Sequence, residues 1–461
     1  MLPVSATGLP SSWRMADVRN NLLVRLFVGV LVMGTCGLTG LACAAEGQGA
    51  AAGQNAAPAK PTRKVPTISE QVFKKLGEAQ ALIDAKQYNQ AINGLLGIVD
   101  ARKYNTNEKG QIHNILGFAY YSKEDYNNAI KQYKEVAAMK DGVPEGLETT
   151  TLYTIAQLSF IVERYQDALK FMQQWINIAQ NPGHDPHIFL GQVYYQMKDY
   201  KNAILQVEKG VEIAKKRGLT VKEQWIALLN FLYYESENWP KVIDTSQQLV
   251  MYWPKSMYWM RLAGIYGQIN KENEQLWTMQ AAHAAKMLEK SGDYTNLAGL
   301  LMQAEIPFKA AKVMKEGLDK KVIEKNEKTL QNYGQALQLA GDVQPAIKVF
   351  EEAASISADG KIYERLANLY LDDDKHDKCV TAADNALKRG GLRKKAAVSS
   401  VRGMCLYNLD KLAAASSSFV SCANEARGSG DQTHIRICQQ WITFIDRDVE
   451  RRKQLNAAGA Q

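Results

Sequence analysis

Proline and glycine are scarce in this chain, 12 and 33 of 461 residues, which excludes a collagen-like or proline-rich architecture. Lysine and arginine are not gathered into blocks, and a formal charge of +8 is modest for the length, so no nucleic-acid partner is expected. With 46% apolar and 23% charged residues the chain is neither a polytopic membrane protein nor fully disordered. The HExxH, GxSxG, Walker and Rossmann patterns, which organise metal hydrolysis, acyl transfer and nucleotide binding, are all missing. Six histidines are scattered along the sequence. His184 and His187, in NPGHDPH, have a metal-pair spacing, yet fit the start of a helix with Asp185 near its N-cap. Asp372, Asp373, Asp374 and Asp377 form an acidic run without the central glycine and closing glutamate of a calcium loop, so a solvated turn is expected. No catalytic residue, cofactor or metal site is expected, and no enzymatic activity.

Arg14, Arg19 and Arg25 precede an uncharged apolar run from 26 to 45 that ends in small residues, the layout of a secretory signal over 1–45. Met15 would shorten it to an ordinary length. The alternative is a retained inner-membrane anchor at 26–45. Lipid attachment at Cys36 or Cys43 is disfavoured, because Met33 and Gly40 stand where leucine is expected. Residues 46–66 are rich in Ala, Gly, Gln and Pro without an aromatic residue, and are expected to be a flexible tether. The expected location is the periplasm, with membrane association only through partners or an uncleaved signal.

From there the sequence repeats. LGFAYYSKEDYNNAIKQY (116–133), LGQVYYQMKDYKNAILQV (190–207) and YGQALQLAGDVQPAIKVF (333–350) share a small residue, a polar turn and a later alanine. The spacing resembles the tetratricopeptide repeat family, whose units of about 34 residues are helix–turn–helix pairs. Phase markers fall at Ala91, Ala129, Ala168, Ala203, Val242, Gln275, Ala311, Ala346, Cys379 and Ala415. Units five to seven and nine are degenerate. Pro240, Pro307 and Pro345 fall at the starts of second helices, where a missing N–H costs little. The expectation is all-α: a right-handed superhelical solenoid of about ten helix pairs over 67–427, closed by a capping helix over 431–456. Gly117 should face Ala129, and Ala367 should face Cys379, letting paired backbones approach.

Four cysteines lie outside the signal. Repeat phase sets Cys379 against Cys405 and Cys422 against Cys438, as suits an exported protein. Four unpaired apolar thiols are the alternative, and a zinc site lacks any CxxC pair.

The family resemblance implies a partner groove lined by the first helices. Carried over, it places Gln111, Asn114, Phe118 and Tyr121 there in unit two, and Tyr153, Gln157 and Phe160 in unit three. Unit four adds Ile188, Gln192 and Tyr195, and unit five Gln224, Phe231 and Tyr234. In Tyr120-Tyr121, Tyr194-Tyr195 and Tyr233-Tyr234 the first ring is phased for packing and the second for the groove. The clamp lysines and arginines of chaperone-binding members are not matched, as Asn114 illustrates. An aromatic, amide-rich face suits a protein partner, or an extended or proline-rich segment of one. The overall layout also resembles periplasmic proteins associated with TonB–ExbB–ExbD energy transduction. That implies a non-enzymatic scaffold assisting uptake of iron complexes or similar nutrients, with a TonB-system component as partner. The alternative is a scaffold for envelope assembly or secretion, in polysaccharide export or cell-wall synthesis.

Overall fold

The computed structural model describes residues 63–179 and 181–458, so the segment 1–45 and most of 46–66 lie outside it. Among the described residues the regular elements are twenty-one α-helices and a 3-10 turn at Lys140–Gly142, with no strand. None of these helices is long and apolar enough to cross a membrane.

They form two compact bodies, one ending at Trp253 and one starting at Pro254. In the first, α1 (Glu70–Asp84) pairs with α2 (Tyr88–Val99), and α3 (Thr106–Ser122) with α4 (Tyr126–Ala138). Three more pairs follow: α5 (Glu145–Ile161) with α6 (Tyr165–Ile178), α7 (Asp185–Gln196) with α8 (Tyr200–Lys216), and α9 (Glu223–Glu235) with α10 (Trp239–Tyr252). The second body opens with α11 (Ser256–Gln268) and α12 (Glu272–Ala284), then α13 (Ser291–Gln303) and α14 (Pro307–Asp319). It continues with α15 (Glu327–Leu339) and α16 (Val343–Ile356), α17 (Lys361–Asp372) and α18 (His376–Arg389), α19 (Lys395–Asn408) and α20 (Leu412–Ser429). A long last helix, α21 (Gln432–Ala458), caps it, starting one residue later and ending two residues later than the sequence suggested.

Start signals are local. Asn105 accepts from the Glu108 amide at 3.0 Å while Glu108 accepts from the Asn105 amide at 2.9 Å, a reciprocal cap on α3. Asp125 and Asp199 accept from the Asn128 and Asn202 amides at the starts of α4 and α8.

The turn inside every pair is the same. A left-handed residue follows each first helix, and the two amides there bond back to the last turn, as Glu124 does to Tyr121 and Asp125 to Tyr120. This is the Schellman C-cap, in which the left-handed position favours glycine. Yet only Gly341 is glycine; Lys86, Glu124, Glu163, Lys198, Glu237, Asn270, Glu305, Asp374 and Asp410 hold the others. Glu124→Gly should therefore raise stability by about 0.5–1 kcal/mol, read as a higher urea midpoint, because glycine relieves the Cβ strain at φ 63°.

The turn also fixes the repeat register, since a phase marker follows each left-handed residue by five positions. Glu305 thus makes Ala310 the marker of the seventh pair, one residue before Ala311. Both alanines are small and buried, so local spacing could not choose between them.

Packing between paired helices follows side-chain size. The position opposite the marker is always small or short, and its size tracks a residue four positions beyond the marker. A Cβ added at Gly117 would lie 2.6 Å from the Tyr133 ring, one at Gly334 2.8 Å from Phe350, and one at Gly403 2.7 Å from Phe419. Gly191 meets Val207 in the same way. Where the partner is unbranched at Cβ and not a ring, the small residue is alanine: Ala79 with Leu95, Ala156 with Met172, Ala263 with Met279, Ala298 with Met314, all buried. The expected contact of Gly117 with Ala129 is thus mainly a contact with Tyr133. In the fifth pair Asn230 takes the place and hydrogen-bonds Ser246 at 2.7 Å, Thr245 at 3.0 Å and the Val242 carbonyl at 2.9 Å. A buried amide needs those partners.

The end of the second body is stapled. Disulfides join Cys379 to Cys405 (α18 to α19) and Cys422 to Cys438 (α20 to α21), with Cα atoms 6.2 and 6.1 Å apart. Trp441 of α21 stacks on Phe419 at 5.2 Å. Asp448, 5% exposed, is clamped by Arg451 at 2.5 Å and Arg452 at 2.9 Å, and these cations hold its carboxyl below the usual range.

Candidate functional site

The residues carried over to the partner groove all lie on first helices of the pairs. Gln111, Asn114, Phe118 and Tyr121 recur along α3 at three- and four-residue steps, so they share one stripe of the helix. The same steps align Tyr153, Gln157 and Phe160 on α5, Ile188, Gln192 and Tyr195 on α7, and Phe231 with Tyr234 on α9. Gln111, Asn114, Phe118, Tyr121, Tyr153, Gln157, Tyr195, Gln224, Phe231 and Tyr234 are all half-buried.

Three members are not surface. Phe160, Ile188 and Gln192 are buried. Phe160 sits 5.6 Å from both Tyr165 and Phe189, joining the third pair to the fourth, so it belongs to the packing between pairs. The doubled tyrosines also divide less cleanly than expected. Tyr233 is buried, but Tyr120 and Tyr194 are half-buried like Tyr121 and Tyr195.

The rings make an array of pairwise contacts. Phe118 stacks on Tyr121 at 6.5 Å, Tyr153 meets Trp175 edge-on at 5.2 Å, and Tyr195 meets Phe231 edge-on at 5.4 Å across two pairs. Sequence reasoning missed one row of it. Tyr121 contacts Tyr126, Phe160 contacts Tyr165, Tyr195 contacts Tyr200 and Tyr234 contacts Trp239, at 5.6–6.3 Å between ring centres. Each pair is five residues apart across the left-handed turn, a fixed spacing that was open to inspection. Such edge-to-face and offset contacts fix ring orientation while leaving part of each ring accessible.

Neither histidine motif makes a metal site. His184 ends up at the N-cap of α7, 3.2 Å from Asp185 and packed on Trp225 at 4.9 Å. His187 is buried, with Nδ1 2.8 Å from Gln206 Oε1, and burial depresses its basicity. His113 and Gln132 repeat this pairing at 2.8 Å two repeats earlier, in α3 and α4. The Asp372–Asp374 run closes α17: Asp374 is the left-handed residue, and Asp373 accepts from Gln344 at 2.6 Å and pairs with Lys375. Among the described residues no cluster of His, Cys, Asp and Glu could hold a metal ion.

The tetratricopeptide repeat family model matches residues 110–141 and 185–217. No curated protein matches the chain. Among solved structures, a tetratricopeptide repeat protein from Parabacteroides merdae is 13% identical, covering 58% of this chain and 100% of its own, at TM-score 0.34. MamA from Desulfovibrio magneticus is 12% identical over 40% of this chain and 96% of its own, at 0.32. The Naa15/Naa10 complex bound to HypK gives 12% identity over 80% of this chain and 66% of that one, at 0.42. The two matched segments fall on α3–α4 and α7–α8, the second and fourth helix pairs, and the other eight pairs share their helix–turn–helix register.

Proposed function

We propose that the chain is a non-enzymatic scaffold that holds an extended protein segment against the aromatic and amide face of α3, α5, α7 and α9. The observation that carries this is the half-buried row of uncharged rings and carboxamides that runs from Gln111 to Tyr234. Rings of this kind stack on proline, and amides bond the backbone of an extended chain without demanding a sequence. At finer grain, we propose export to the periplasm and service to a TonB–ExbB–ExbD system, a proline-rich TonB segment occupying the face during nutrient uptake. The basic, apolar and small-residue order of 1–45 supports export, and two disulfides suit an oxidising compartment.

Replacing Phe118, Tyr153, Tyr195 and Phe231 with leucine should lower capture of a proline-rich TonB peptide at least tenfold, by fluorescence anisotropy. Leucine keeps apolar volume while removing the ring face, and circular dichroism checks that helix content is kept. Unchanged capture by the folded variant would end this reading.

A further inference from the structure

Residues 63–69 run without regular structure along one edge of the first body before α1 begins, and the edge grips them. The Arg63 guanidinium lies 2.6 Å from Glu148 at the start of α5 and 3.2 Å from Asp141. It also donates to the carbonyl oxygens of Lys140 at 3.0 Å and Val143 at 3.2 Å. Two carboxylates and two carbonyls around one planar cation match the five-donor fork of arginine, which a lysine ammonium cannot reproduce. Further on, Asn107 Nδ2 donates to the Pro66 carbonyl at 2.8 Å, and Asn105 Nδ2 to that of Thr67 at 2.9 Å. Apart from arginine, then, the edge reads extended backbone.

Two details exceed what a mere tie would need. Glu148 is only 7% exposed, and Arg63 is the cation that pairs with it among the described residues. Asn107 is 4% exposed, and its Oδ1 has no hydrogen-bond partner among the described residues, leaving a buried acceptor beside the bound backbone.

We propose that this edge of α3 and α5 is a recognition site for an extended segment led by arginine. Residues 63–66 fill it in cis, and the same motif on another chain takes it when they lift. The proposal uses none of the ring residues and does not depend on the aromatic face binding anything. Its ligand class is a peptide with one arginine followed by three or four residues of extended backbone.

The test uses the full chain and a fluorescein-labelled peptide of residues 60–66, KPTRKVP. Arg63→Ala should bind this peptide at least tenfold tighter than the parent chain, whose own arginine competes. A peptide with lysine in place of its arginine should bind at least tenfold more weakly. Adding Glu148→Gln to Arg63→Ala should abolish binding. Adding Asp141→Asn instead, at a side chain 91% exposed and so neutral for folding, should weaken it several-fold. If Glu148→Gln unfolds the chain, the Asp141 arm and the lysine peptide still decide. Failure of Arg63→Ala to bind, equal binding to parent and variant, or indifference to the peptide's arginine would each overturn the site.

Discussion

Gly117→Ala and Tyr133→Leu together should cost much less than the sum of the two alone. The Cβ of an alanine at 117 would lie 2.6 Å from the Tyr133 ring, closer than carbon atoms tolerate. Overpacking of this kind costs about 1–3 kcal/mol, partly offset by the roughly 1 kcal/mol better helix propensity of alanine. Tyr133→Leu alone removes a buried ring and leaves a void, at about 2–4 kcal/mol. In the double variant the alanine Cβ and the smaller leucine recreate the Ala79–Leu95 contact of the first pair, both residues of which are buried. Urea unfolding of all four chains should give a favourable coupling of about 1–2 kcal/mol. Additivity within about 0.5 kcal/mol would show that the glycine is not there for the ring. The equivalent cycle at Gly403 and Phe419 should recover less, because Phe419 also stacks on Trp441 and leucine cannot.

That size matching explains what the sequence made legible. Gly117, Gly191 and Gly334 stand out because a small residue facing a ring or branched side chain is a local requirement, repeated at a fixed interval. The same interval placed the cysteines, since a second helix and the following first helix meet at one phase. Asn230 hid the fifth pair because hydrogen bonds replaced smallness there, and Ala310 with Ala311 left the seventh register ambiguous. Burial of Phe160 and Gln192 depends on how successive pairs lean on one another, which no spacing within a repeat encodes. The grip on Arg63 was invisible for a different reason. Its partners lie near residues 140–148, and a composition poor in apolar residues says only that 63–66 cannot build a core, not that an existing one cannot hold them.

Replacing Cys422 and Cys438 with alanine should open the carboxy-terminal end and leave the first body unchanged. The bridge closes a loop of 16 residues, and on the chain-entropy model it contributes roughly 3 kcal/mol. In a repeat architecture each pair leans on its neighbours alone, so the loss cannot be spread over the chain. The capping helix is the vulnerable element, because it packs against α19 and α20 from one side. What remains to hold it is the Trp441–Phe419 stack, the packing of Ile435, Ile442, Ile445 and Val449, and the Asp448 clamp, whose partly exposed arginines contribute little. Hydrogen exchange followed by mass spectrometry should therefore show amides of α20 and α21 exchanging about a hundredfold faster, the equivalent of 3 kcal/mol. Amides of α1 to α10 should keep their rates. The Cys379–Cys405 bridge, closing 26 residues between α18 and α19, should extend the opened region by one pair when it too is removed. A change below tenfold in α21 would mean the bridge merely decorates a cap held by packing, and faster exchange reaching α1 would mean the chain unfolds as one unit.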